Sequence, residues 1–237
     1  MHWIFTPDEF VHVWRETDVD RPPYPLRLLE SPRTEQEAEV LRGRIAERFP
    51  PGADPDLTAC LRILAHPHTR VVAVGTGAHQ GEELRLLGCT VFDRAVLVRQ
   101  DPPAAPGAAG SVRVSIGHAG KLGARIASLL PKAPPGREPA RAAPTAEVYD
   151  TEAVRPAPAV ARIRRLLLAP HTGEGHIRIE PRLDRPPQPP APIHYTWFDV
   201  ADDGRYLVKA DDTVRVVPAS AEQLAAQLQK RVPAQAG

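Results

Sequence analysis

The N-terminal part of the chain has apolar side chains at the spacing of an amphipathic helix. Phe10, Val13 and Trp14 share one helical face. They follow Thr6–Glu9, in which threonine can cap the helix, proline suits the first helical position and glutamate can close a capping box. The pattern therefore predicts a helix that begins after Thr6.

Two more helix starts follow in the same region. Thr34–Glu37 has the composition of a second capping box, and Asp54 is a capping residue that a proline follows. Apolar residues recur at helical spacing behind both starts, namely Ala38, Leu41, Ile45 and Phe49, and then Leu57, Leu61 and Leu64. The sequence thus predicts two further helices, the second of which faces a core.

The pattern then changes to short β-branched runs that Gly, Asp or Pro residues separate, which is typical of strands. The predicted strands are Val71–Val74, Leu84–Phe92, Val96–Val98 and Val112–Ile116. A helix with Leu122, Ile126 and Leu129 on its apolar face follows them. This part of the chain is therefore predicted to be a set of strands that a helix closes.

Proline marks the break after this set. Many of the 28 prolines cluster at 102–106, 131–144 and 186–192, and proline without a period is typical of loops and linkers. We therefore predict a linker at about 131–156. Beyond it the pattern repeats, with a helix near 158–169, strands near 176–182, 193–200, 205–209 and 213–217, and a last helix near 220–231.

The repetition extends to individual residues, which favours an internal duplication. Seven of the 20 positions in 112–131 are identical to those in 214–233, where chance gives roughly one or two. Three shorter segments match upstream in the same order. These matches pair Thr90–Asp93 with Thr196–Asp199, Arg94 with Arg205, Leu97 and Val98 with Leu207 and Val208, and Pro67–Thr69 with Pro170–Thr172.

We expect one α+β domain over 1–237, with repeat units at about 57–131 and about 160–233. Each unit has an apolar sheet face, and burying two such faces requires a common core. The sequence therefore predicts a quasi-two-fold symmetric domain in which helices pack on a mostly antiparallel sheet.

Composition narrows the class of protein. Hydrophobic residues are 42% and charged residues 25%, as in ordinary globular proteins, and the net charge of +1 gives no support for nucleic acid or an anionic membrane as a partner. We see neither a membrane-spanning run nor a secretory signal at the N-terminus. The two cysteines, Cys60 and Cys89, make no disulfide framework, so we expect a cytoplasmic protein. The Ala-, Arg- and Pro-rich composition favours a high-GC bacterial genome, as in actinobacteria.

One glycine-rich turn is similar to a nucleotide-binding loop. Gly75-Thr76-Gly77 follows the apolar run Val71–Val74, and Asp93 ends a later strand where a ribose could be bound. However, the third glycine is Gly81, one position late, and the segment that follows is too short for a crossover helix. An NAD(P)-dependent oxidoreductase therefore stays an alternative only.

No other chemistry is indicated. His66 and His68 lack further ligands at metal-site spacing, and His68 recurs as His171 at a helix end, where an imidazole can hydrogen-bond the last carbonyls. Cys60 and Cys89 lie in apolar segments and are expected to be buried. No serine sits in a Gly-x-Ser-x-Gly elbow, and the acidic pairs at 202–203 and 211–212 are typical of hairpin turns. We predict no catalytic, cofactor or metal residues, and no enzyme.

Five segments together are similar to one family. They are Trp3–Phe10, Pro23–Leu26, Ala65–Pro67, Gly204–Val208 and Pro218–Leu224. In order and spacing the chain resembles the EspG family along nearly its whole length. The resemblance implies a quasi-symmetric α+β fold and a cytosolic chaperone of type VII (ESX) secretion. Such a chaperone binds PE–PPE or related WXG-type substrates, keeps them soluble and hands them to the secretion machinery.

Tyr195 and Trp197 are candidate partner-binding residues. They alternate on one side of a strand, opposite Thr196 and Phe198, and replace Cys89 and Val91 of the first unit. Aromatic side chains are common interface anchors. Packing under a flanking helix is the alternative. The predicted function is thus a chaperone with a helical protein client, and the alternatives are the oxidoreductase or a scaffold or regulatory protein with an unrelated partner.

Overall fold

Seven α-helices occur in the part of the chain that the structure describes. This computed structural model describes residues 1–77, 83–105, 107–152, 155–185 and 187–232. The helices are α1 (Pro7–Trp14), α2 (Glu35–Arg48), α3 (Pro55–Ala65), α4 (Leu122–Leu129), α5 (Thr145–Tyr149), α6 (Pro158–Leu168) and α7 (Ala221–Gln229). None of these seven is long and apolar enough to cross a bilayer.

Side-chain caps begin the first three helices, as the sequence predicts. Thr6 forms the reciprocal capping box of α1, and Asp54 caps α3. At α2 the Thr34 hydroxyl accepts a hydrogen bond from the Glu37 backbone N–H, 3.2 Å away. The Glu37 carboxylate accepts from the N–H of Arg33 rather than from that of Thr34, so only half of the second capping box forms.

The described strands form one sheet in which every neighbouring pair is antiparallel. They are β1 (His2–Phe5), β2 (Thr69–Thr76), β3 (Glu83–Val91), β4 (Arg94–Gln100), β5 (Val112–His118), β6 (Arg141–Pro144), β7 (His171–Glu180), β8 (Ile193–Val200), β9 (Gly204–Ala210) and β10 (Thr213–Pro218). Their order across the sheet is β1-β5-β4-β3-β2-β7-β8-β9-β10-β6. The predicted strands are all present, most of them with longer bounds, whereas β8 has the predicted bounds and β3 begins and ends one residue earlier. The predicted α+β class is confirmed.

Both faces of the sheet are buried, because side chains alternate along each strand. Val71 and Ala73 of β2 and Ile177 of β7 belong to one core that α4 and α7 cover. On the opposite face Val72 packs below α1 and α3, whereas Phe198 packs below α5 and α6 in a separate cluster. The common core is therefore present on one face, and the expectation of a single apolar face for each unit is wrong.

The same succession of elements occurs on either side of the β2–β7 pair. In the first part α3 is followed by β2, β3, β4, β5 and α4, and in the second α6 is followed by β7, β8, β9, β10 and α7. The edge strands β1 and β6 come from different places, since β1 is N-terminal and β6 follows α4. Pro233, the last matched position of the repeat, lies outside the described residues.

The proline-rich segment at 131–156 contains two elements that its composition did not indicate. Strand β6 pairs with β10 as an edge strand, a position that proline tolerates, and α5 follows at once. Nearer its start, the N–H of Arg205 donates to the Pro134 carbonyl (2.7 Å) and Gly136 donates to Arg205 (2.9 Å). The prediction of a plain linker is thus wrong, since backbone pairing with β9 and β10 overrides local composition.

Candidate protein-binding site

Helices α4 and α7 lie side by side across the shared core. Their close approach depends on Gly123, because a Cβ there would lie 2.6 Å from the Ala225 carbonyl oxygen and 2.8 Å from the Gln229 nitrogen. The Gln229 side chain accepts a hydrogen bond from Gly123 N–H and donates one to the Ala119 carbonyl, each 3.1 Å long. Helices α4 and α7 are therefore held together as a ridge on the sheet, and on each side of this ridge the sheet surface is open.

The larger opening, which we call the α7 groove, lies between α7 and strands β8–β10. Its volume is about 460 Å³. Leu207 and Leu224 are buried at its floor, and Val217 is 37% exposed. The residues that line it are Tyr195, Leu207, Lys209, Arg215, Val217, Pro218, Ala219, Gln223, Leu224, Ala226, Gln227 and Lys230. An apolar floor inside a polar rim is the usual construction of a protein-binding groove.

Three basic side chains border the α7 groove. Lys209 and Arg215 are directly opposite each other on β9 and β10, and Lys230 extends from the end of α7. Lys209 pairs with Asp211. In the described parts of the chain, neither Arg215 nor Lys230 pairs with a carboxylate. The rim therefore has a positive potential.

A second opening, the α4 groove, lies in the corresponding place beside α4 and has a volume of about 270 Å³. Arg99 and Arg113 are opposite each other on β4 and β5, as Lys209 and Arg215 are in the other groove. Asp101 lies 2.7 Å from the Arg113 guanidinium and 3.7 Å from that of Arg99, so it neutralises much of their charge. The α4 groove is thus smaller, and its cross-strand cation pair is partly neutralised, although Arg125 of α4 adds a third cation there.

No pattern in the sequence indicated these cations as site residues. The signal that could have found them is the hairpin turn centred on Asp212, since a three-residue turn at 211–213 places Ala210 opposite Val214 and Lys209 opposite Arg215. The helix that forms the other wall of the groove could not be assigned to this face from a single sequence.

The candidates Tyr195 and Trp197 are buried, with 2% and 0% of their surfaces exposed. Both point into the core below α4 and α7. The Tyr195 hydroxyl accepts a hydrogen bond of 3.0 Å from Gln227 at the base of the α7 groove. Their burial leaves almost no surface for direct contact with a partner, and it corresponds to the alternative of packing under a flanking helix.

Trp197 also accounts for the first glycine of the suspected nucleotide loop. Gly75 and Gly175 are opposite each other on β2 and β7, and a Cβ on either would lie 2.8 Å from the Trp197 ring. These glycines therefore make room for an indole in the core. Gly81 lies outside the described residues, but β3 pairs with β2 in the antiparallel direction. A dinucleotide fold needs a parallel strand after a crossover helix, so the oxidoreductase alternative is wrong.

The histidines have structural roles. His171 Nε2 donates to the Leu166 carbonyl (3.3 Å), and its ring stacks on Phe198, which confirms the predicted helix-end contact. His68 differs, since its ring meets the edge of Phe92 at 4.8 Å and its backbone N–H donates to Thr90. His66 contacts Asp18 on the surface. Among the described residues, no group of three His, Cys, Asp or Glu side chains could hold a metal.

The two cysteines are free and fully buried, as expected. Burial raises the pKa of the Cys60 thiol to about 11 and that of Cys89 to about 12. Both therefore stay protonated at neutral pH, and neither has the thiolate character of a nucleophile.

The fold is an antiparallel α+β sheet covered by helices, and its β2–β3 pair lacks the parallel arrangement of a dinucleotide-binding fold. The sequence profile of the EspG family matches residues 6–230, so the chain belongs to the EspG family. Among solved structures, it matches the Mycobacterium tuberculosis type VII secretion system chaperone EspG5, which was solved in complex with the PE25–PPE41 dimer. The two share 16% sequence identity with a TM-score of 0.65, over 98% of this chain and 95% of EspG5. No curated protein sequence gives a significant match.

Proposed function

We propose that this protein is a cytoplasmic chaperone that binds helical type VII secretion substrates, either PE–PPE-like or WXG-type. It keeps them soluble and aids their delivery to the secretion machinery. The observation that carries this proposal is membership of the EspG family across residues 6–230. The fold shared with a chaperone that was solved with its PE–PPE partner supports it. On this proposal the protein acts by binding and catalyses no reaction.

The α7 groove is the proposed contact surface. A helical client with an exposed apolar tip would aggregate, and covering that tip with an apolar floor suppresses aggregation. Leu207 and Val217 offer such a floor, and the rim supplies polar and basic groups around it. A stable complex buries about 800 Å² on each partner. The groove is therefore the centre of a wider contact that extends over α7 and the neighbouring strands.

A cytoplasmic location agrees with the thiol chemistry. Cys60 and Cys89 are reduced and lie in separate elements, α3 and β3. Unpaired buried thiols are typical of proteins that fold in a reducing compartment.

We also propose that the two halves arose by duplication and are related by a quasi-two-fold axis. The axis would pass between β2 and β7 and between α4 and α7. Gly123 and Ala225 support it, because they are matched positions of the repeat and they contact each other, as residues on a two-fold axis do. An experimental structure in which 57–131 and 160–232 fail to superpose would contradict this proposal.

The chaperone function is tested by purifying the protein from its native host and identifying bound proteins by mass spectrometry. The helical ESX-type protein recovered is then co-expressed with the chain, and we expect a 1:1 or 1:2 complex by light scattering. The sequence of the recovered protein shows whether the client is of the PE–PPE type or of the WXG type. Recovery of a partner unrelated to secretion would favour the scaffold or regulatory alternative instead.

The location of the site is tested with Val217→Asp. Val217 is partly exposed on β10, so a carboxylate there leaves the core intact but makes the apolar floor polar. We expect the client complex to be lost. Ser115→Asp is the matched control, since Ser115 has the corresponding place in the α4 groove. Equal loss with both variants, or with neither, would contradict the assignment to the α7 groove.

A further inference from the structure

The α7 groove keeps like charges in an unfavourable arrangement. Lys209 and Arg215 are directly opposite each other across the β9–β10 ladder, where like charges destabilise a sheet. Lys230 adds a third cation on the helix side of the same groove. Cations that cost stability and border an apolar cavity indicate a ligand that carries negative charge beside an apolar group.

The cross-strand arginine pair of the α4 groove is a partly neutralised version of this arrangement, although Arg125 of α4 adds a third cation there. There the opposed arginines share Asp101, which lies within 2.7 Å of one and 3.7 Å of the other. In the α7 groove Asp211 contacts Lys209. Arg215 has no carboxylate within ion-pair distance among the residues that the structure describes. Its charge is therefore available to a partner.

We infer that the segment bound in the α7 groove is an apolar helical turn flanked by glutamate or aspartate side chains. This inference rests on the proposed function and specifies the chemistry of the client. The apolar side chain packs on Leu207 and Val217, while carboxylates on either side reach Lys209, Arg215 and Lys230. Carboxylates paired with lysine and arginine at a rim select the partner and its orientation.

Nucleic acid fits the same groove less well. Binding a phosphate backbone needs an extended basic surface, whereas the net charge of the whole chain is +1. The floor of the groove is also apolar, and a phosphate chain would leave it uncovered.

The test uses three synthetic helical peptides of about 15 residues, which is about the length at which a helix begins to persist in water. They share one leucine ridge and differ only in the flanking residues, which are glutamate, glutamine or lysine. Binding to the full chain is measured by fluorescence anisotropy. We expect the glutamate peptide to bind tightest and the lysine peptide weakest, with the difference shrinking between about 50 and about 500 mM NaCl as salt screens the charges.

The Arg215→Glu variant tests whether the preference for the glutamate peptide arises in the α7 groove. The variant places opposite charges across the ladder, so it relieves the repulsion with Lys209 and leaves folding intact. We expect the glutamate peptide to bind about fivefold to tenfold more weakly and the lysine peptide to gain affinity. Arg113→Glu in the α4 groove is the matched control and should leave both affinities unchanged.

Three results would overturn the inference. They are equal affinity for the glutamate and lysine peptides, equal weakening by Arg113→Glu and Arg215→Glu, and tighter binding of a DNA duplex than of the glutamate peptide. If the proposed chaperone function is wrong while this inference is right, the result is different. In that case the glutamate peptide is preferred and depends on Arg215, yet no ESX-type substrate forms a complex.

Discussion

The α4 and α7 grooves have the same framework but different chemistry. Each lies between a helix and the strands beside it, and each is lined by two leucines and one cross-strand pair of cations. On β5, Ser115 accepts a hydrogen bond of 2.7 Å from Arg125 of α4, which fills that groove with polar groups. On β10 the corresponding residue is Val217, and α7 has Gln227 in place of the arginine. A few substitutions thus separate the smaller, more polar α4 groove from the larger α7 groove.

A second contrast concerns the matched Asp–Arg pairs. Asp199 and Arg205 form two hydrogen bonds of 2.7 Å, and their side chains are only 6% and 3% exposed. The Arg205 guanidinium also donates to the Pro131 carbonyl (2.6 Å) and stacks over Trp197. In the first half, Asp93 and Arg94 are exposed and 3.7 Å apart. The same residue types therefore form a buried ion pair in the second half and an exposed ion pair in the first half.

The largest expected effect comes from breaking the buried pair. Asp199→Asn leaves the Arg205 charge buried without a partner, which costs about 3–5 kcal/mol of unfolding free energy. The loss should also loosen the segment after α4, because Arg205 is bonded to Pro131. Guanidinium unfolding monitored by circular dichroism measures the stability.

Asp93→Asn is the matched control for that experiment. Its ion pair is exposed, so the change in stability should be within about 1 kcal/mol of zero. Similar losses from the two substitutions would show that burial does not distinguish the pairs, and the contrast between the halves would be wrong.

The next effect concerns the ridge between the grooves. Gly123→Ala places a Cβ against backbone atoms of α7, 2.6 and 2.8 Å away, and backbone cannot yield by rotating a side chain. Overpacking of this kind costs about 1–3 kcal/mol and should move α7, with a change in the α7 groove. Thermal and guanidinium unfolding measure the loss of stability.

Gly43 provides the opposite control, since it lies in α2 and a Cβ there meets nothing within 4 Å. Gly43→Ala should stabilise the protein by about 0.5–1 kcal/mol through helix propensity. Stabilisation by both substitutions would mean that α4 and α7 are not in close contact.

Much of the fold could be predicted from local signals. Caps such as Thr6 and β-branched runs such as Val112–Ile116 are encoded within a few residues, so the longer strands and every described helix except α5 were identified. Edge strands β1 and β6 were missed because their conformation depends on pairing with distant strands rather than on their own sequence. The proline-rich composition of β6 even favours a loop.

The site was harder to predict than the fold. Tyr195 and Trp197 were selected as aromatic residues at positions where the repeat units differ, but which face of a strand a helix covers is decided by tertiary packing. The contrast between Arg215 and Arg113 depends on the position of one aspartate, Asp101, in three dimensions. A single sequence contains these residues but not their distances.

The smallest expected effect concerns the cysteines, which both lie in the first half. At the position of Cys89 the second half has Tyr195, and burial raises the pKa of Cys89 to about 12 and that of Cys60 to about 11. At pH 8 neither thiol should react with a disulfide reagent in the folded protein, whereas both should react in guanidinium. Rapid labelling of the folded chain would show that the core of this half opens to solvent.

The same pKa shifts have a consequence for stability in alkaline solution. A thiol ionises near 9.0 in the unfolded chain but only near 11 or 12 in the folded one. Above pH 9 the unfolded state therefore binds fewer protons, and the stabilisation present below that pH is lost as the pH rises through the folded value. Unfolding curves should show a shallower decline between pH 9 and pH 11 for Cys60→Ala than for the unchanged chain. An identical decline would mean that Cys60 ionises equally in both states and is not held in a closed core.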